Sequence, residues 1–167
     1  MRKLKILKSL IDFIFIITSC IIPFFIIGIP LLFFISDIGN FKVIGLDFTQ
    51  GVSLWSKVFI ALFMLAYILI YYAIKKFRDV LQDFVRARVF TEKVIANFAV
   101  SSKVLFVAGI LMFIAGIGFN IVEKSKINLE FGITTNYLCI CFGLFFLVLS
   151  EIFKASKELK QENDLTI

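Results

Sequence analysis

Histidine is absent from this 167-residue sequence. That removes the commonest general acid–base group and the commonest metal ligand. Cysteine is scarce: Cys20, Cys139 and Cys141 all lie inside apolar runs, which excludes a disulfide framework of the secreted kind. Cys139-x-Cys141 is at most half a metal site. With no histidine and no second cysteine pair, buried thiols acting as small hydrophobes are the better reading. A glycine-rich phosphate loop, a nucleophile elbow and paired carboxylates in a cleft-forming pattern are also missing. The sequence implies no enzyme and no cofactor. Charge is sparse as well, at 18% of residues, against about 25% in soluble domains.

What is present is hydrocarbon. Hydrophobic residues make up 60% of the chain, with 22 phenylalanines and a mean hydropathy of +1.00. A soluble fold of this length needs polar surface that these residues cannot supply, so the class is integral membrane, in one domain covering residues 1–167. Four apolar runs approach the roughly 20 residues a membrane helix needs: 10–35, 58–74, 104–121 and 137–153. The last three are short and extend into flanks whose lysines can snorkel. The first run holds both prolines, Pro23 and Pro30, and predicts a kinked or tilted helix. The opening MRKLKILKSLIDFIF also has the look of a signal peptide. Apolar residues continue well past Cys20 and Asp12 interrupts the would-be signal core, so an uncleaved first helix is expected.

Orientation follows from Lys and Arg. Four precede the first run, seven lie between the second and third, and three follow the fourth, against four in the two other loops. Fourteen against four places both termini and the middle segment in the cytoplasm. Trp55 and Tyr137 then mark the outer interface, and Tyr71 and Tyr72 the inner one. The net charge of +6 reflects this topology rather than direct nucleic-acid binding. The outer loops, Phe41–Gln50 and Ile127–Ile133, are either simple connectors or short strands that pair with each other.

The middle segment, 75–103, reads as a cytoplasmic helical hairpin. Phe77, Val80, Leu81, Phe84, Val85 and Val89 recur at i, i+3, i+4 spacing among polar residues. A turn near Arg88–Thr91 is followed by a start signal, with Thr91 as cap, Glu92 in the first turn and Phe90 with Ile95 as a hydrophobic staple. Lys75, Lys76, Arg78, Arg86 and Arg88 make it either a docking arm for a protein or for anionic lipid headgroups, or a helix pair whose cations enforce topology. Within the third run, Ala108, Gly109, Ala115, Gly116 and Gly118 form a small-residue face. It is read as a seam inside the bundle, with a homodimer as the alternative. Asp12, Lys103 and Glu151 fall at the cytoplasmic interface, where an Asp12–Lys103 or Glu151–Lys103 ion pair is expected.

The tail, 154–167, continues the fourth helix. Leu159 is expected to prolong the stripe of Ile152 and Ala155 toward the hairpin. Asn163 and Asp164 end the helix, leaving Glu162, Asp164, Leu165, Thr166 and Ile167 as an ending that either tucks against Phe77–Val89 or is presented to a partner.

The four runs, the Val89-Phe90-Thr91-Glu92 start and the Ser150-Glu151-Ile152-Phe153 to Glu162-Asn163-Asp164-Leu165-Thr166-Ile167 ending resemble the small bacterial membrane proteins of the YoaS-like domain-of-unknown-function family 2975. That resemblance implies the bacterial cytoplasmic membrane and no established catalytic activity. It also implies a partner, because members are often encoded beside a small helix-turn-helix regulator. The chain departs from the family at Arg86-Ala87-Arg88, where a glycine is common. The expected function is therefore cytoplasmic protein–protein interaction by a four-span protein. A small transporter or pore, or a structural subunit, is the alternative.

Overall fold

The computed structural model describes residues 2–34, 42–43, 46–47, 53–124 and 135–164. Its long elements are four helices: α1 (Arg2–Phe34), α2 (Leu54–Val85), α3 (Glu92–Lys124) and α4 (Thr135–Asp164). All four are long and apolar enough to cross a membrane. Helices of 30–33 residues are about 45–50 Å long at 1.5 Å per residue, against a hydrocarbon core of about 30 Å. Each therefore outruns the bilayer by several turns. α1 runs through Pro23 and Pro30 without a break in the helix.

Between α1 and α2, β1 (Lys42–Val43) pairs antiparallel with β2 (Leu46–Asp47), Lys42 opposite Asp47 and Val43 opposite Leu46. The other connection, Ile127–Ile133, lies outside the described residues, and with it the pairing of the two loops.

Successive helices pack in a row, α1 on α2, α2 on α3 and α3 on α4. Among the described residues the backbone of α1 approaches neither α3 nor α4. The small residues of α3 explain its central place. A Cβ on Gly109 would stand 2.9 Å from the Asn136 carbonyl oxygen of α4, and one on Gly118 would run into the Phe59 ring of α2. Ala108 and Ala115 are fully buried. The face reads as a seam inside the bundle, and it serves two neighbours at once. Along the α1–α2 seam, Phe15 stacks on Tyr71 at 5.1 Å and Phe25 meets Tyr67 edge-on at 4.7 Å.

The hairpin between α2 and α3 closes through a hydrogen-bonded cap. The Ala87 N–H donates to the Phe84 carbonyl and the Arg88 N–H to the Asp83 carbonyl. This is the Schellman pattern, which puts the residue after the cap in the left-handed region. That residue is Ala87, with φ of 58°. Thr91 then caps α3, its Oγ1 accepting from the Val94 N–H at 3.4 Å. The Phe90 ring lies 6.0 Å from that of Phe153 on α4.

The tightest core lies where the hairpin and α4 meet. Val80, Val94 and Phe98 are buried there, with Phe77, Phe84, Phe146, Leu149 and Phe153 packed around them. Phe98 stacks on Phe153 at 5.4 Å with the planes 8° apart.

Candidate functional site

The candidate site is the basic end of the row. The chain starts there, α2 passes into α3 there, and α4 finishes there. Ion pairs tie its elements together, α1 to α2 and α4 to α3 among them. Arg78 Nε donates to Asp12 Oδ1 at 2.5 Å, and Lys8 lies 3.6 Å from the other oxygen of Asp12, one turn along α1. Lys157 of α4 reaches Glu92 at the start of α3.

These pairs correct the expected pairing of Asp12 and Glu151 with Lys103. Asp12 stands on α1, whose backbone approaches α2 but not α3 among the described residues, and its partner comes from α2. Glu151 follows Ser150, whose hydroxyl donates to the Ile95 carbonyl at 3.1 Å. That contact sets Glu151 eight residues of α3 away from Lys103, or about 12 Å at 1.5 Å per residue.

Of the seven basic residues of the hairpin, the five singled out for docking divide into two groups. Arg78 is committed to Asp12 and its guanidinium lies 5.0 Å from the centre of the Phe15 ring. Lys76 lies over the Tyr72 ring at 5.5 Å. Lys75, Arg86 and Arg88 are exposed. A docking surface therefore has three exposed basic side chains, Arg86 and Arg88 at the hairpin turn and Lys75 about three turns of α2 before it, and two that serve packing.

α4 also departs from expectation. Phe146, Leu149, Ser150 and Phe153 turn toward the hairpin, at i, i+3, i+4 and i+7. Ile152 is 52% and Leu159 62% exposed. One residue is 100° of helix. Phe153 and Ser150 hold the phase, and Ile152 with Leu159 consequently faces outward. Phe145 and Val148 continue the same exposed stripe toward the membrane. Glu162 is exposed, Asp164 ends α4, and Leu165, Thr166 and Ile167 lie outside the described residues, as does their tucking against the hairpin.

Buried polar groups were not singled out by sequence reasoning. Asp83 is 4% and Asn97 7% exposed. Asp83 Oδ2 lies 3.3 Å from Lys93 Nζ but makes no hydrogen bond, so the pair is a charge contact with an ammonium that is itself mostly in water. Ser101 donates to the Ala73 carbonyl at 3.3 Å, the interhelical bonding by which polar side chains join membrane helices. The signal was present: Asn97 and Ser101, four apart, flank Phe98 on the stripe that also carries Val94 and Leu105. Among the described residues no group of three or more His, Cys, Asp or Glu is placed to hold a metal ion.

Four long apolar helices define a polytopic α-helical membrane protein. The chain belongs to the family described as "Protein of unknown function (DUF2975)", whose model matches residues 17–167. No curated protein and no solved structure matches it significantly.

Proposed function

We propose that this chain is a non-enzymatic protein of the bacterial cytoplasmic membrane that docks a cytoplasmic protein at its basic end. The distribution of Lys and Arg supports the orientation, fourteen against four, with both termini and the 75–103 hairpin inside. The single observation that carries the docking reading is the outward stripe of Ile152 and Leu159 on the part of α4 that carries Glu151, Lys154, Lys157, Glu158 and Lys160. An apolar stripe among charges, on a helix leaving the bilayer, is the surface to which a partner helix or groove binds. Lys75, Arg86 and Arg88 add a positive field that favours an acidic face on that partner. A small helix-turn-helix regulator is the partner class that fits the family resemblance. The ending 162–167 belongs to the same proposed surface.

Cysteine labelling in intact cells tests the orientation, with a single cysteine placed at Arg88 and, separately, at Lys42. Membrane-impermeant reagent is expected to reach only the latter. Crosslinking from the α4 extension tests the docking. Wild-type protein is expected to trap a cytoplasmic protein that Leu159→Glu and a chain lacking residues 157–167 both release. Solute flux through the purified protein in liposomes, with no such protein trapped, would favour the transporter alternative instead.

A further inference from the structure

Charge is not spread evenly around the α4 extension. At about 100° per residue, Ile152, Ala155 and Leu159 share one outward face, at i, i+3 and i+7. Glu151 and Glu158, seven apart and both exposed, run along one flank of that face, and Glu162 continues the row. Neither Glu151 nor Glu158 makes an ion pair among the described residues. The other flank holds Ser156 and Asn163, and the Ser156 hydroxyl is spent on the Ile152 carbonyl of its own helix, at 2.8 Å. The cations lie further round. Lys157 reaches Glu92, Lys154 stands behind the glutamate row, and Lys160 lies beyond Ser156. No basic residue occupies the last turn of α4, so the partial negative charge of its final carbonyls adds to the row.

The extension also outruns its support. Lys157 meets Glu92, the first residue of α3, so residues 158–163 pass beyond the hairpin, and every one of them is exposed. Helical stability in proteins comes mostly from packing of an amphipathic face rather than from propensity, and here the face is unpacked. We propose that its occupant is a basic amphipathic helix of a cytoplasmic partner. Its apolar residues would lie on Ile152, Ala155 and Leu159, and its lysines or arginines, seven apart, against Glu151 and Glu158. Charge complementarity selects the helix, and the stripe holds it. The acidic face that Lys75, Arg86 and Arg88 favour belongs to another part of the same partner, since the stripe looks away from the hairpin that carries those cations. The inference rests on the docking reading and adds the chemistry of what docks.

The test uses the full chain in phosphatidylcholine nanodiscs and three labelled synthetic peptides of one length, with binding read by fluorescence anisotropy against empty nanodiscs. The first is an amphipathic helix with leucines on one face and lysines seven apart on its flanks. The second has glutamates in place of those lysines, and the third is the first scrambled so that no apolar face remains. Wild-type protein is expected to bind the basic helix about tenfold tighter than the acidic one, the scale of two exposed ion pairs set against two like-charge contacts. It is expected to ignore the scrambled peptide. Glu151→Lys combined with Glu158→Lys is expected to reverse the preference, and Leu159→Ser to weaken both helices. Equal affinity for the two helices, weakened alike by Leu159→Ser, overturns the proposed partner chemistry and leaves the docking reading standing. A preference that survives the double reversal overturns it, as does equally tight binding of the scrambled peptide, which would make the effect general charge attraction. Failure of either helix to bind overturns it as well, and a second copy of the chain trapped by a crosslinker at Leu159→Cys would then be the occupant. Helix content and elution volume matching the wild type qualify each variant.

Discussion

Ala87 shows how one residue carries the geometry of the hairpin. The cap needs a left-handed residue, and in alanine that conformation crowds the Cβ against the following carbonyl, at a cost of about 1–2 kcal/mol. Ala87 is exposed and its methyl packs on little. Ala87→Gly is therefore expected to raise the stability of the purified protein by about 1 kcal/mol, since glycine's extra chain entropy offsets part of the relief. A higher thermal midpoint by circular dichroism would confirm it; an unchanged or lower one counts against the cap. Phe98 is the contrasting case. It is 2% exposed and stacked on Phe153, so Phe98→Ala is expected to cost about 3–5 kcal/mol. Phe24, 76% exposed on the spanning part of α1, faces lipid tails as apolar as itself, and Phe24→Ala should leave the same midpoint nearly unchanged.

At the scale of the element, the α4 extension is held by aromatic packing more than by charge. Lys157 and Glu92 form an ion pair, but the Glu92 side chain is 82% exposed, and such pairs contribute about 0–1 kcal/mol. Phe153 contacts Phe84, Phe90 and Phe98. Limited proteolysis of the extension should therefore change little in Glu92→Lys and rise sharply in Phe153→Ala. Equal sensitivity of the two variants would overturn this ranking. The four long helices, the turn between α2 and α3 and the Thr91 cap were legible in the sequence because periodicity and capping are local properties. The outward turn of Ile152 and Leu159 was not. Their phase is set by contacts of Ser150 and Phe153 with α3, and no spacing within α4 records which apolar stripe a neighbour will cover.

For the whole molecule, the row of helices makes α1 an accessory. Among the described residues its backbone approaches only α2, through Asp12–Arg78, Phe15–Tyr71 and Phe25–Tyr67, whereas the core of Val80, Val94 and Phe98 belongs to α2 and α3, with α4 packed on it. A chain lacking residues 2–34 is expected to keep α2–α4 folded in detergent, with the helix content of three helices and one cooperative transition. Loss of that transition would show that α1 is part of the folding unit. The basic end then remains intact for the labelling and crosslinking tests.

Composition alone determined that the chain belongs in a membrane, because 60% hydrophobic residues cannot be hidden inside a soluble domain of this size. Run lengths set the number of helices, and the Thr91–Glu92 start signal told where α3 begins. Which charges pair was decided only by the tertiary structure. Asp12 meets Arg78 rather than Lys103 because helix order in space, not distance along a helix, brings a cation to it. The same holds for Lys103. Sequence spacing did not show the groove beside it, between α3 and α4, which exists only because Gly143 lets two helices close against each other.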